Sequence, residues 1–302
     1  MKTLTTSFTT PKKLNFSYLI TFIGVIFAII GSESVQNYVS TIGILSFGIL
    51  HGANDLKILS KKKHQKRSFS IIPMWIIYLI VVFFGVLIFY FIPGIALFSF
   101  VGVSCYHFGE QHWEGRLNQI KEKVIFYIAY GSLIFLMLFC LKYNEVNNII
   151  FQISTVNLPF KIFLIPMIFI SFFVLTIMIK YSKNVNALFI EFMLLGLLAL
   201  LFLKGSLLFG FGFYFVLWHS FPSLKSQVKY LYNQQEKEPY KKYFKSGFLY
   251  WMLALIGLSA FYFFSTLPKD QYLSVFFSFL AAITFPHVVV MGIMFNSNKN
   301  KF

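Results

Sequence analysis

Ten apolar runs, each close to the length of a membrane-crossing helix, set what this chain can become. A helix needs ~20 mostly apolar residues to cross a hydrocarbon layer ~30 Å thick. Runs of that kind lie at roughly 15–31, 38–56, 71–92, 94–112, 123–141, 160–180, 185–203, 206–224, 246–265 and 272–295. Of the 302 residues, 58% are hydrophobic and only 12% are charged, about half the charge of an ordinary soluble domain. Inside a bilayer every backbone polar group must be satisfied within the protein, and helices do this segment by segment. The expected fold class is therefore all-α: a polytopic integral membrane helical bundle of about ten transmembrane helices. A single transmembrane domain covers 1–302, with tails at 1–14 and 296–302 flanking a bundle at 15–295. The stretch "GSESVQNY" after the first run offers no small-x-small cleavage site, so that run is expected to stay as a helix.

The net charge of +16 could suggest nucleic acid, but a membrane chain keeps such an excess in its cytoplasmic loops. With an inside N-terminus, 22 of the 26 Lys and Arg fall on inner segments; only Lys142, Lys161, Lys204 and Lys269 fall outside. Both termini are then cytoplasmic and the chain is a multi-pass protein of the cell (inner) membrane. No nucleic-acid partner is expected. The stretch 142–157 ("KYNEVNNIIFQISTVN") suits a short amphipathic helix on the outer surface. The longest polar stretch, about 225–245, reads as a charged loop. Cys105 and Cys140 lie in apolar runs without metal spacing and read as packing residues. The 41 Phe accompany abundant Ile, Lys and Asn, as AT-rich coding would give, and so say little about an aromatic or polyene ligand.

Ionisable residues inside a membrane are costly, so each is a functional candidate. His64, in "KKKHQKR", belongs to a basic loop, and His112, beside Trp113, suits an interfacial aromatic belt. The other four histidines lie on the second, fourth, eighth and tenth runs: His51 in "GILHGAND", His107 in "CYHFGE", His219 in "VLWHSFPS" and His287 in "TFPHVVV". All four runs point the same way. The next inner charge or polar break lies 6, 9, 6 and 9 residues on, which at ~1.5 Å per residue places all four ~9–14 Å from the cytoplasmic end. Four imidazoles in one layer suit a shared metal site, since neutral imidazole ligates Fe, Zn, Cu and Ni. Separate packing contacts or a proton path are the other readings.

Asp55 follows His51 by four residues and Glu110 follows His107 by three, so either could accept a spare imidazole N–H. Asp55 also reads as a cap near Lys57, and Glu110 as a partner of Arg116. Glu191, in the seventh run, reads equally as a proton handle or a neutral packing residue. Pro222 and Pro286, each within three residues of a histidine, bend helices and open room. Gly52 and Gly109 permit close backbone approach.

With "GIL" before "HGANDLKIL", then "SCYHFGE", "LWHS" with Gln227 downstream, and a late "PH", the chain resembles the Brp/Blh family of membrane β-carotene dioxygenases. The resemblance runs from His51 to His287. It implies a non-haem iron(II) enzyme, with Fe(2+) as cofactor, that cleaves the central 15,15′ double bond of β-carotene with O₂ to two molecules of retinal. By position it implies His51, His107 and His219 as iron ligands. The second histidine of the family's W-H-x-x-x-H motif falls at Ser223 here, so His287 becomes the candidate to complete the set. Ser223 then joins Asp55 and Glu110 among residues behind the ligands. Tyr106, Phe108 and Trp218, beside ligands, become candidates to line a polyene tunnel. The retinal product would suit a rhodopsin as recipient. Against this stand a diiron desaturase, which lacks its histidine boxes here, a secondary transporter, and a metal-free accessory membrane protein.

Overall fold

The computed structural model describes residues 7–8, 16–66, 74–113, 116–118, 122–181, 185–232 and 236–299. They are helical almost throughout, apart from a two-residue antiparallel pairing of Ser7–Phe8 with Leu117–Asn118. The helices are α1 (Phe16–Ile30), α2 (Glu33–Gly43), α3 (Asp55–Lys66), α4 (Met74–Phe91), α5 (Pro93–Trp113), α6 (Lys123–Leu141), α7 (Tyr143–Ser154), α8 (Lys161–Tyr181), α9 (Val185–Lys204), α10 (Leu207–Tyr214), α11 (Phe221–Leu231), α12 (Pro239–Phe264) and α13 (Tyr272–Lys299). Among the described residues, Lys123–Leu141, Lys161–Tyr181, Leu207–Leu231, Pro239–Phe264 and Lys269–Phe295 are long and apolar enough to cross a membrane. Phe16–Ile30 and Trp75–Phe91 are shorter apolar helices. The exposed side chains of α12 include Phe248, Leu253, Ile256 and Phe263, a surface that hydrocarbon accepts and water does not.

Most apolar runs form one helix each, but the second does not. Between α2 and α3 the chain passes through a π-helical segment, Ile44–Gly48, and then a turn at 51–54. Hydrogen bonds from Gly52 N to Ile49 O, Ala53 N to Leu50 O (both 3.1 Å) and Asp55 N to Gly52 O (3.2 Å) tighten it. Gly43, Gly48 and Gly52 lower the cost of leaving the helix here. Asp55 starts the next one, its carboxylate suited to a helix N-terminus. The basic stretch around His64, expected as loop, is helical through Lys66. The stretch 225–245 is likewise largely helix, since α11 runs to Leu231 and α12 begins at Pro239. Its charges do not prevent helix formation because Lys225, Lys229, Lys241, Lys242 and Lys245 all lie exposed on these helices. Residues 142–157 do contain a helix, α7.

The eighth run is continuous from Leu207 to Leu231 but widens to a π-helix over Phe215–Ser220. Pro222 has no N–H for the carbonyl four residues back, so the α-pattern fails there and the wider turn costs little. Both interrupted runs carry one of the four histidines.

The chain divides into two compact units: residues 1–43, 104–148 and 157–219, and residues 44–103, 149–156 and 220–302. In the first, α1 packs on α9, α2 on α10, and α6 on α8, α9 and α10. Ser206 caps α10 by accepting from Phe209 N (3.1 Å), while Gln36 Oε1 accepts from Ser206 N (2.7 Å). The N-terminus of the helix that carries His219 is thereby tied to α2. In the second unit, α13 packs on α4 and α3, and α11 on α3 and α12. Its core includes Leu50, Ile58, Val228, Tyr243, Met291 and Met294.

Candidate functional site

The second unit holds His51 and His287, both buried, with ring centroids 4.7 Å apart at 88°. His51 sits on the turn after the π-segment, and its Nδ1 lies 2.5 Å from the Gly48 carbonyl. A carbonyl only accepts, so Nδ1 carries the hydrogen and Nε2 the lone pair. His287, one residue after Pro286 in α13, places Nδ1 2.9 and 3.0 Å from the two oxygens of Asp55. A carboxylate likewise only accepts when ionised, and again Nε2 becomes the electron-pair donor. Tyr78 steadies Asp55 by donating to Oδ2 at 3.3 Å. The i,i+4 spacing suggested Asp55 as a partner of His51, but that spacing applies only within a continuous helix. Residues 51–54 are a turn, and the carboxylate meets His287 on α13.

Ser223 is fully buried and accepts from Gln227 Nε2 at 3.1 Å. Gln227 Oε1 lies 2.8 Å from the Tyr243 hydroxyl, which is also 3.0 Å from the His51 carbonyl. Ser223 thus belongs to a chain of neutral hydrogen bonds that ends on the backbone of His51. Asn54 extends it, donating to Tyr243 O at 3.0 Å. Tyr78, Tyr243 and Asn54 had no assigned role at the level of sequence. Single polar residues in apolar or charged stretches carry no period that would mark them.

The first unit holds the other pair. His107 and His219 are buried, with ring centroids 4.7 Å apart at 75°. Phe108 stacks on His219 at 4.4 Å and 24°, and Phe215 at 5.5 Å and 17°. Two glycines bring α5 against α6. A Cβ on Gly109 would lie 1.9 Å from Tyr127 O, and one on Gly131 would lie 1.8 Å from Cys105 O. Backbone meets backbone on both sides of His107. Gly52 has no such need: a Cβ there would meet His287 Nδ1 at an ordinary 3.7 Å.

Glu110 accepts from the Tyr106 hydroxyl at 2.7 Å, one turn back on α5. Arg116, its other expected partner, bonds to Glu191 instead. His112 does not face outward as an aromatic-belt residue would: it is buried, stacks on Trp218 at 5.4 Å, and lies 3.3 Å from the Tyr130 hydroxyl. Sequence spacing misplaced it because its helix end is covered by α6 and α9. Trp218 donates to Thr21 Oγ1 at 3.1 Å.

The separation within each pair is one that imidazoles packed edge to face adopt, and one that imidazoles sharing an ion adopt as well. A metal–nitrogen bond of about 2.1 Å puts a ring centroid about 3.2 Å from the ion, so two imidazoles at about 90–109° have centroids about 4.5–5.2 Å apart. Both pairs stand at 4.7 Å. The Nδ1–H contacts of His51 and His287 are of the kind that orients ligating imidazoles and settles their tautomer.

Comparison with known proteins points the same way. The family model described as beta-carotene 15,15′-dioxygenase matches residues 42–295, a span that includes all four histidines. A relative from an uncultured marine bacterium, 66A03, described as a beta-carotene 15,15′-dioxygenase, is 24% identical over 267 residues. That match covers 85% of this chain and 94% of the relative. No solved structure matches.

Proposed function

The chain belongs to the β-carotene 15,15′-dioxygenase family, and from that premise we propose that it cleaves the central double bond of β-carotene with O₂ to two molecules of all-trans-retinal. The observation that carries the chemistry is the pair of buried, edge-to-face imidazole pairs. His51, His107, His219 and His287 are the proposed ligands of one non-haem Fe(2+). Such an ion in a neutral imidazole set supplies a place for O₂ and the electrons to activate it.

The rest is done by this chain. Asp55 and the Gly48 carbonyl hold His287 and His51 in the ligating tautomer. Phe108 and Phe215 clamp the His219 ring. Apolar helices receive a hydrocarbon substrate directly from the bilayer and keep water away from the reaction. Tyr106, Phe108 and Trp218, each next in sequence to a proposed ligand, are the proposed polyene-lining residues. No protein acid or base is needed, because both atoms of O₂ end in the two aldehydes. The setting is the cell (inner) membrane with both termini cytoplasmic, and a rhodopsin is a fitting recipient of the retinal.

The test is expression in a bacterial host that accumulates β-carotene, beside His107→Ala. Retinal from the parent chain and none from the variant is the expected result. Undiminished β-carotene in well-expressed, iron-replete cells would remove the assignment. A second expectation concerns Asp55→Asn. The amide can donate toward Nδ1 and so favours the wrong tautomer of His287. Iron affinity of the purified protein should fall by about 10–100-fold, the usual cost of losing an outer-shell partner. Wild-type affinity in that variant would show that Asp55 serves packing alone.

A further inference from the structure

Glu191 takes no part in either histidine pair, yet it is 1% exposed in the middle of an apolar helix. A carboxylate there is costly unless paired and hydrogen-bonded. Two groups hydrogen-bond it and a third lies beside it. The Arg116 guanidinium bonds to Oε1, the Tyr18 hydroxyl donates to Oε1 at 3.3 Å, and His112 Nε2 lies 3.5 Å from Oε2. Arg116 also lies over the Trp113 ring, 4.2 Å from its centroid. Buried ion pairs add little net stability over apolar residues of the same volume. What this one adds is direction.

His112 Nε2 lies beside both Glu191 Oε2 and the Tyr130 hydroxyl, and the ring face lies against the Trp218 indole at 28°. The same indole meets Tyr18 in a T-shaped contact, centroids 5.2 Å apart at 81°, and its N–H is taken by Thr21. Trp218 is therefore held by His112, Tyr18 and Thr21. It is bonded directly to His219, and both lie in the π-helical turn Phe215–Ser220. A π-turn is a rare, locally distorted stretch of helix, frequent at functional sites. Side chains anchored on either side of it set where its residues stand.

We infer that Glu191, acting through His112 and Trp218, is a positioning residue for His219. Arg116 is the counter-charge that keeps the carboxylate in place. The inference rests on His219 being a metal ligand, as proposed above. Loss of the network is expected to tilt the His219 ring rather than remove it.

The experiment uses the full chain purified in lipid nanodiscs and loaded with Co(II), whose ligand-field bands report ligand geometry independently of turnover. Two variants are compared with the parent. Glu191→Gln keeps the volume and removes the charge. Thr21→Val touches no charged group and removes the acceptor of the Trp218 N–H, together with the local bond from the Thr21 hydroxyl to the Ser17 carbonyl one turn back. Glu191→Gln is expected to shift the Co(II) bands and weaken metal retention by about 10-fold. It should lower kcat for retinal formation and leave KM for β-carotene unchanged. Thr21→Val is expected to shift the same bands in the same direction by less. Parent-like bands and affinity in both variants overturn the inference, whatever happens to their melting temperatures. If Glu191→Gln does not fold, Thr21→Val decides alone. A parent chain that binds no metal defeats the iron reading itself, an outcome separate from either variant result.

Discussion

His287→Ala is expected to leave the purified chain without stoichiometric iron and to lower retinal formation by at least about 100-fold, beyond the ~10–100-fold typical of losing an outer-shell partner. The expectation follows from Ser223. The family resemblance of the sequence implies a histidine at that position. In this chain the position is filled by a serine bonded to Gln227, with Met291 Sδ 3.9 Å away. A hydroxyl is a poor ligand for iron(II) beside imidazoles. His287 has what Ser223 lacks: a ring 4.7 Å from that of His51 and a carboxylate on Nδ1. Metal analysis of the variant decides the matter. Iron retained at the parent level would make His287 a packing residue and leave the proposed set with His51, His107 and His219.

Gly131→Ala should be the most damaging substitution outside the histidines. Its Cβ would sit 1.8 Å from the carbonyl oxygen of Cys105 and 2.6 Å from the carbonyl carbon, both backbone atoms that cannot rotate away. Real Cβ contacts do not fall below 3.0 Å. Helices α5 and α6 would have to separate, and the reciprocal contact of Gly109 with Tyr127 would open with them. Overpacking of this kind costs about 1–3 kcal/mol in a core that can relax, and more where backbone is the obstacle. His107 lies between Cys105 and Gly109, so metal retention should fall together with the melting temperature. Gly102→Ala is the control: it is on the same helix as His107, with nothing within 4 Å of a built Cβ. A Gly131→Ala chain that melts with the parent and keeps its iron would refute the argument.

The apolar runs were legible because burial in hydrocarbon is a requirement on length and composition, and both are read along one dimension. The importance of His51, His107, His219 and His287 was legible for a related reason: a polar ring is conspicuous in an apolar run. Gly109 was suspected correctly, while Gly52 was not distinguishable from it, since both are simply glycines in a helical pattern. His112 and Glu191 were misplaced or left open. What they touch lies on other segments, 75 or more residues away from Glu191 in the cases of Arg116 and Tyr18.

By itself, then, the amino-acid order determined a helical, strongly apolar protein with four histidines set apart from the rest. The tertiary structure alone decided which imidazoles pair, and that Asp55 serves His287. The reason is helical phase. Each residue added to a helix turns all later side chains by about 100°, and both interrupted runs pass through π-helical segments that absorb extra residues. Beyond such a segment, spacing in the sequence no longer tells which face a side chain occupies. Only the packing of α13 on α3, and of α5 on α6, restores that information.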